Sequence, residues 1–207
     1  MLRFINISKA YGNKRVCQKI SYEFSTGVYA IRGPNGVGKT TLLKILAGVL
    51  NADSGTVWID QYSMQDAPLS ARARLAYVPD ECPVYPFLTG MEFLRFVAYA
   101  KQCELPPELR EIIEVFGLTD HLATKFSDMS LGTHKKTMLA SAWIGNPSAI
   151  ILDEPSNALD ASARNALVTQ LNVARHDRTV LISTHDAEFI AAIGAKVILF
   201  DEFARGG

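Results

Sequence analysis

The first third of the chain alternates apolar and polar residues with a period of two. The segment Leu2 to Ser8 is typical of a half-buried strand, and Ile20 to Phe24 reads as its partner across a turn at Gly12-Asn13. The continuous apolar run Val28-Tyr29-Ala30-Ile31 then indicates a fully buried strand. The pattern predicts a hairpin followed by a strand inside the core.

The middle of the chain changes from strand to helix spacing. Strands are predicted at Gly55–Ile59 and Leu75–Val78, the second one stopped by Pro79. Helices are predicted at Met91–Ala100, Glu108–Phe116 and Leu131–Ile144, the last capped by Ser130. We therefore expect a helical segment near residues 82–145.

The last third alternates strands with helices. The predicted elements are the strands Ala149–Leu152, Thr179–Ser183 and Lys196–Phe200 and the helices Ala161–Arg175 and Ala187–Ile193. Alternation of this kind indicates parallel strands joined by crossover helices. The expected fold is α/β, in one domain. Its core, residues 1–81 and 146–207, has a mostly parallel sheet with an antiparallel β-subdomain, and residues 82–145 form an inserted α-helical subdomain.

Composition narrows the classes of partner. Lys+Arg and Asp+Glu both number 21, and no block of like charge stands out, which argues against nucleic acid. No apolar run reaches the roughly 18 residues of a membrane span. The cysteines at 17, 82 and 103 lie far apart without metal-ligand spacing, as expected for reduced thiols of a cytosolic protein.

One glycine-rich stretch carries the strongest chemical signal. It reads Gly33-Pro34-Asn35-Gly36-Val37-Gly38-Lys39-Thr40-Thr41 and lies between the buried strand and the helical pattern Leu42–Ala47. Strand, glycine loop, Lys-Thr and helix is the context of a phosphate-binding loop, so we expect a P-loop NTPase core. Lys39 would point toward the β and γ phosphates, and the Thr40 hydroxyl would ligate Mg²⁺. The alternative is an ordinary glycine turn.

A second signal is the apolar run Ile150–Leu152, which ends in Asp153 and Glu154. In a phosphate-loop protein a carboxylate at such a strand end holds Mg²⁺, usually through water. A second carboxylate beside it can orient and deprotonate an attacking water. His185 ends another predicted buried strand, at the sheet edge where ligands gather.

Taken together, these motifs resemble the ATP-binding subunits of ATP-binding-cassette (ABC) transporters, in family order over nearly the whole chain. The resemblance implies that Gly33–Thr41 is the Walker A loop and Asp153 the Walker B aspartate. It implies that Glu154 is the catalytic glutamate and that His185 is the switch histidine that senses the γ-phosphate.

The resemblance also supplies roles that position alone does not. Tyr11 becomes the aromatic residue that stacks on adenine, with Val16 as a weaker candidate beneath the base. The loop that crosses the dimer interface is Ser156, Asn157, Ala158, Leu159 and Asp160.

Two motifs depart from the commonest family pattern. The signature, usually Leu-Ser-Gly-Gly-Gln, reads Met129-Ser130-Leu131-Gly132-Thr133-His134, and we take its second glycine and glutamine to be replaced by Thr133 and His134. The resemblance implies that Ser130, Leu131, Gly132 and Thr133 contact ATP held by a partner subunit, Ser130 by its hydroxyl and Gly132 by its N–H.

The other departure is Asp80, which stands where the family usually has a loop glutamine. An aspartate could still reach Mg²⁺ through water, and some similar members of the family, mainly exporter-type cassettes, carry an acidic residue there. The apolar segment Cys82–Leu88 then looks like the contact surface for a transmembrane permease subunit. Simple packing within the helical lobe is the alternative for that segment.

The resemblance implies an ATPase subunit that pairs with a second copy or with a homologue, sandwiches two ATP molecules with Mg²⁺, and powers a separate permease. We expect it at the cytoplasmic face of a membrane, in an exporter. One rival is a soluble cassette ATPase acting on DNA or ribosomes, but such relatives carry a coiled-coil insertion or a second cassette. The other rival is a regulatory module with little hydrolysis, suggested by Thr133, His134 and Asp80. A phosphate-release assay separates that module from an ATPase.

Overall fold

Two β-sheets and a helical layer make up the computed structural model, which describes residues 1–81 and 84–204. The strands are β1 (Leu2–Tyr11), β2 (Lys14–Phe24), β3 (Gly27–Arg32), β4 (Ser54–Ile59), β5 (Tyr62–Ser63), β6 (Leu75–Val78), β7 (Ala149–Asp153), β8 (Thr179–Ser183) and β9 (Lys196–Leu199). The α-helices are α1 (Lys39–Leu46), α2 (Pro68–Ala73), α3 (Gly90–Ala100), α4 (Leu109–Val115), α5 (Leu131–Ala140), α6 (Ala161–Ala174) and α7 (Ala187–Ala192).

The central sheet is parallel and has the order β6-β7-β8-β3-β9. Its strand β7 is buried on both faces: Ile150 and Leu152 pack into one apolar cluster and Ile151 into the other. A strand covered on both sides reads as a continuous apolar run rather than an alternating one. The sheet therefore carries its polar residues at the strand ends, where a site can form.

The second sheet is antiparallel, with the order β2-β1-β4-β5, and its hairpin turns at Gly12-Asn13 as predicted. A cluster of aromatic rings lies beneath this sheet. Phe203, which follows β9, packs edge-on against Phe4 and Phe24 with ring centroids 5.7 and 6.3 Å away. The segment after β9 thus joins the antiparallel sheet to the parallel one.

The helical layer follows the predicted order of elements. Thr89 and Glu92 form a reciprocal capping box at the start of α3. The prediction for α5 was too long at its end, since the helix stops at Ala140 and a short 3-10 turn follows. The Ser141 hydroxyl donates to the Met138 carbonyl at 2.7 Å, and this local bond competes with continuation of the helix.

The predicted fold class is confirmed: parallel core sheet, antiparallel subdomain and helical segment are all present. Helix α2 and strand β5 were not predicted, because six and two residues are too short for a clear period. The division at residues 82 and 145 stays a prediction. Within residues 1–81 and 84–204, no helix has the length and apolar character needed to span a bilayer.

Candidate nucleotide site

The loop between β3 and α1 has a geometry that its glycines permit. Gly38, the residue before α1, has φ +121°, a conformation that side chains rarely adopt. A Cβ at Gly38 would overlap Val16 and crowd the Phe200 ring. The loop therefore packs between the hairpin, at Val16, and Phe200, which follows β9. The N-terminal N–H groups of α1 follow directly after the loop.

Lys39 occupies the centre of this loop. Its side chain is buried, and Nζ donates to the carbonyl oxygens of Gly33 at 2.8 Å and Pro34 at 3.2 Å. These contacts hold the ammonium group inside the loop, where an anion in the cavity would meet a fixed positive charge. The prediction that Lys39 faces a phosphate remains a prediction.

A cavity of about 470 Å³ opens beside the loop. It is lined by Tyr11, Lys14, Val16, Asn35, Gly36, Gly38, Lys39, Thr40, Thr41, Asp80, Asp153, Glu154 and His185. Except for Lys14, all of these residues were singled out by the sequence. The structure thus brings residues from five separate stretches of the chain to one place, at the ends of the parallel strands.

The hairpin forms one wall of the cavity. Tyr11, the last residue of β1, is 52% exposed. Lys9 Nζ lies 5.6 Å from the centroid of its ring, and the exposed part of the ring is open to a stacking partner. Val16 packs against the glycine loop and lines the same wall. Lys14 was missed by the sequence analysis, although its Nζ lies 3.4 Å from the Gly36 carbonyl oxygen. A lone lysine in a turn gives no periodic or motif signal that would have identified it.

Asp153 lies at the end of β7 and is 2% exposed. Its Oδ1 accepts a hydrogen bond from the Ser183 hydroxyl on the neighbouring strand β8. Its Oδ2 is buried with no hydrogen-bond partner among the described residues. Buried carboxylate oxygens are normally satisfied, so Oδ2 is available for a cation.

Glu154 follows with φ +44°, a strained backbone conformation that residues other than glycine rarely adopt. The conformation is held by its N–H, which donates to the Ser183 carbonyl at 3.0 Å. Its Oε1 lies 2.8 Å from Nε2 of His185. The carboxylate and the imidazole thus form a pair facing the cavity.

The electrostatics of Glu154 suit a proton acceptor. Burial raises the pKa of its carboxyl, and the neighbouring Asp153 and Asp80 raise it further. The nearby His185 and Lys39 lower the pKa and so oppose that shift. A carboxylate with a raised pKa takes up a proton more readily than an ordinary glutamate.

A recess of about 250 Å³ adjoins the cavity and is the candidate metal position. It is lined by Thr40, Asp80 and Asp153, which are the three predicted ligands, together with Lys44, Pro79 and Glu81. Hydroxyl and carboxylate oxygens are the donors that Mg²⁺ prefers. With Asp153 Oδ2 unpartnered among the described residues, the side chains present fit this ion.

The signature residues lie elsewhere. Ser130 caps α5 through a bond from the Thr133 N–H at 3.1 Å, and its hydroxyl is 2.9 Å from the Thr133 hydroxyl. Leu131 is 79% exposed. None of residues 130–133 lines the cavity.

One assignment within the signature needs correction. Position by position against Leu-Ser-Gly-Gly-Gln, Leu131 stands at the first glycine and Thr133 at the glutamine, whereas Ser130 and Gly132 match. The replaced family residues are therefore the first glycine and the glutamine, at Leu131 and Thr133, and not the second glycine and the glutamine at Thr133 and His134. Gly132 has a structural reason of its own, because a Cβ there would lie 3.0 Å from the Ala158 carbonyl oxygen.

The predicted dimer loop, Ser156–Asp160, is held in shape but is largely exposed. Ala158 has φ +62°, and Asp160 caps α6 by accepting from the Ala163 N–H at 2.8 Å. This bond is the main cause of the lowered pKa of Asp160. Lys136 of α5 lies 3.5 Å from Asp160 Oδ2, so the loop and the signature helix are in contact.

The predicted permease contact falls only partly within the described structure, since Cys82 and Pro83 lie outside it. Among the rest of that segment, Tyr85 and Phe87 are 63% and 64% exposed and stack with ring centroids 5.5 Å apart. A groove of about 480 Å³ is formed by parts of α2 and α3 and the residues after α3. It is lined by Leu69, Ser70, Arg72, Ala73, Phe96, Val97, Ala100, Lys101 and Gln102.

Comparison with known proteins identifies the family. Residues 17–157 match the family model described as ABC transporter. The chain is 30% identical to the linearmycin resistance ATP-binding protein LnrL of Bacillus subtilis, over 98% of this chain and 67% of LnrL. It is also 30% identical to the Nod factor export ATP-binding protein I of Burkholderia orbicola, over 96% of this chain and 67% of that protein.

An import protein is equally similar. The spermidine/putrescine import ATP-binding protein PotA of Thermotoga maritima is 30% identical over 95% of this chain, which spans 55% of the PotA length. The chain thus corresponds to about half to two thirds of these relatives.

Solved structures agree with this assignment. An ATP-binding subunit of an ABC transporter superimposes with a TM-score of 0.87 at 26% identity, covering 99% of this chain and 92% of that one. The cassette MJ0796, a dimer in a post-hydrolysis state bound to ADP and Pi, shares the fold with a TM-score of 0.83 at 23% identity, over 96% and 94% of the two chains. The chain belongs to the ABC transporter family, as one of its ATP-binding, ATP-hydrolysing cassettes.

Proposed function

We propose that this cassette works as half of a dimer that closes around two ATP molecules and reopens when they are hydrolysed. In each composite site the Gly33–Thr41 loop of one subunit would face residues Ser130–Thr133 of the other. A separate permease would turn opening and closing into transport, at the cytoplasmic face of the membrane. The second subunit is either a copy of this chain or a homologue.

The observation that carries the proposal is the separation of two sets of residues within one chain. The cavity collects the glycine loop, the carboxylates and His185, but none of Ser130–Thr133 lines it. Ser130 nevertheless lies at the N-terminus of α5, and Leu131 beside it is exposed to an incoming surface. The binding site for a ligand in the cavity would be completed only by a second subunit, which would supply residues 130–133.

Residues at the cavity have roles that follow from their geometry. Glu154, with its pKa raised by burial, would orient a water and accept its proton. His185, 2.8 Å from Glu154, would hold the carboxylate in place and stabilise charge on the γ-phosphate. Lys39 would contribute a fixed positive charge to the same group.

Thr40, Asp80 and Asp153 would hold Mg²⁺ in the adjoining recess, with Asp153 contributing its unpartnered Oδ2. The ion would neutralise charge on the phosphate oxygens. Tyr11 and Val16 would bind the adenine, since their side chains form the wall of the cavity that the β1–β2 hairpin contributes.

The permease would dock beside the helical layer. Exposed stacked rings at Tyr85 and Phe87 and the groove containing Leu69 and Phe96 provide an apolar surface for it. Arg72 and Lys101 at this groove favour a segment that carries acidic residues. The acidic Asp80, together with export relatives such as the Nod factor protein, supports an exporter.

The test is Glu154→Gln in the purified protein, followed by ATP binding, phosphate release and gel filtration. Turnover should fall by roughly 10²–10⁴-fold, the usual contribution of a general base, while ATP binding is retained. The variant should accumulate as a dimer with ATP but not with ADP. Glu188→Gln, an exposed position on α7, is the matched control and should behave as the wild type.

Two results would contradict the proposal. Wild-type phosphate release from Glu154→Gln would remove this residue from the mechanism. A variant that binds ATP but stays monomeric at every protein concentration would remove the shared site.

A further inference from the structure

The signature helix α5 carries a buried positive charge that the proposed mechanism does not use. Lys135 lies in the second turn of α5 and is 5% exposed. A buried ammonium group is costly unless all its donors are satisfied, and a methionine or leucine would fill similar volume without that cost. The position of its partners therefore shows what the charge does.

Lys135 is bound by backbone oxygens from two different strand ends. Its Nζ donates to the carbonyl of Asp153 at the end of β7, at 3.4 Å. It also donates to the carbonyls of Pro79 and Asp80 in the loop after β6, both at 3.3 Å. One side chain on the helical layer thus holds both strand ends that border the candidate metal recess.

The same ammonium group pairs with a carboxylate of that recess. Lys135 Nζ lies 3.6 Å from Asp80 Oδ1, and Asp80 is 45% exposed on its side chain. Asp80 Oδ1 also accepts from Asn157 Nδ2 at 3.2 Å. Asp80 therefore contacts both the signature helix and the predicted dimer loop Ser156–Asp160.

The charges explain why a cation is useful here. Asp80, Asp153 and Glu154 face one another around the cavity and recess, and like charges at such a site repel. Lys135 offsets part of this repulsion from the protein side. A divalent cation in the recess would compete with Lys135 for the carboxylate of Asp80. Both are positively charged, and the Asp80 side chain lies beside Lys135 and lines the recess.

We propose that Lys135 is a positioning residue that links metal occupancy to the two segments presented to the partner subunit. With the recess empty of metal, the Lys135–Asp80–Asn157 contacts hold α5 and the Ser156–Asp160 loop to the loop after β6. With Mg²⁺ bound in the recess, the Asp80 carboxylate would turn from Lys135 and Asn157 toward the ion, and the dimer loop would lose its contact with the loop after β6. This inference depends on the ATP and Mg²⁺ site of the proposed function.

The test is hydrogen–deuterium exchange of the whole chain with ATP, in the presence of Mg²⁺ or of EDTA. In the wild type, Mg²⁺ should change exchange in residues 129–134 and 156–160. Lys135→Met should lose most of this Mg²⁺-dependent change. Asn157→Ala, which removes the other contact of Asp80 Oδ1 and leaves the predicted metal ligands in place, should lose the change in residues 156–160. Lys136→Met is the matched control: it removes a neighbouring cation of α5 whose partner is Asp160, and its Mg²⁺ response should be retained.

Exchange in residues 33–41 shows whether the chain binds ATP, and so distinguishes failure of the Lys135 inference from failure of the proposed function. If ATP protects this loop and Lys135→Met keeps the full Mg²⁺ response elsewhere, the inference is wrong and the proposed function stands. If Lys135→Met does not fold, Asn157→Ala decides by the same criterion at residues 156–160. If ATP protects nothing in the wild type, the proposed function and this inference both fail.

Discussion

The nucleotide cavity and the signature segment differ in how their polar groups are satisfied. At the cavity, charged side chains meet partners from distant parts of the same chain, such as Glu154 with His185 and Asp153 with the Ser183 hydroxyl. At the signature segment, the Ser130 hydroxyl bonds to Thr133, three residues away, and to no other residue that the structure describes, and Leu131 is exposed. Folding of the chain assembles the first region from distant residues, whereas the second region is held by local bonds and stays exposed at the surface.

This difference separates two kinds of mutational effect. Substitutions at the cavity should change nucleotide affinity or the chemical step in every subunit. Substitutions at the signature segment should leave nucleotide binding by the monomer intact and act only when two subunits meet. Ser130→Arg, Tyr11→Ala and Gly132→Ala test that separation, in order of decreasing expected effect.

The largest expected effect is that of Ser130→Arg. A long cation at the N-terminus of α5 should block closure, and the loss of one donor to a phosphate typically costs about 10²–10³-fold in turnover. Binding of a fluorescent ATP analogue by the monomer should be unchanged. Phosphate release measures the turnover, and analytical ultracentrifugation measures the formation of the dimer.

Ser127→Arg is the control for that experiment, because Ser127 is also exposed and lies three residues upstream. It should dimerise with ATP as the wild type does. If Ser130→Arg dimerises equally well, the signature segment does not face a partner.

The next effect concerns Tyr11. Its ring is half exposed at the cavity wall, so Tyr11→Ala should weaken ATP binding by about tenfold, as expected for loss of one base-stacking contact. Tyr11→Phe should bind normally. Isothermal titration gives both affinities, and equal affinity of Tyr11→Ala and the wild type would place the base elsewhere.

A smaller effect is expected for Gly132→Ala. Its new Cβ would lie 3.0 Å from the Ala158 carbonyl oxygen, so the dimer loop must shift by a few tenths of an ångström. We expect a several-fold loss of turnover with monomer ATP binding unchanged. A loss of ATP affinity in the monomer would contradict this expectation, because it would show that the displacement of the dimer loop extends to the nucleotide cavity.

The smallest effect is on stability and involves Lys101, a second part-buried lysine of the helical layer. Its Nζ donates to the Ile144 carbonyl at 2.9 Å, and burial lowers its pKa from 10.5 to about 8. Between these values the unfolded chain binds the extra proton, so stability increases as pH rises from about 8 toward 10.5.

Lys101→Met should lack this contribution. Between pH 7.5 and 9.5, the wild type should gain on the order of 1 kcal/mol of unfolding free energy relative to the variant. Urea titrations of both proteins give the difference. A constant difference across this pH range would show that Lys101 stays protonated in the folded protein.

The sequence was informative where chemistry requires fixed spacing. The glycine loop, Asp153 with Glu154, and His185 follow buried strands, and parallel strands bring their carboxyl ends to one edge, so their meeting could be predicted. Family resemblance was needed for Tyr11 and Ser130, since neither position has a distinctive local pattern.

Other features could not have been predicted from the chain alone. Lys135 lies one helical turn after the exposed Leu131 and reads as a surface lysine, yet tertiary contacts bury it. The Asp80–Asn157 contact joins residues 77 positions apart, and no periodicity encodes it. Such contacts depend on how the helical layer sits on the core.

The central claim is that Ser130 of one subunit lies over the glycine loop of the other only when ATP is bound. A variant with Asn35→Cys and Ser130→Cys, and with serine at positions 17, 82 and 103, can be treated with a short thiol-specific crosslinker. Replacing Cys17 is a precaution, because burial raises its pKa to about 11 and suppresses its thiolate. The account predicts covalent dimers with ATP when Glu154→Gln is also present, and few with ADP. Equal crosslinking in both conditions, or none in either, would contradict it.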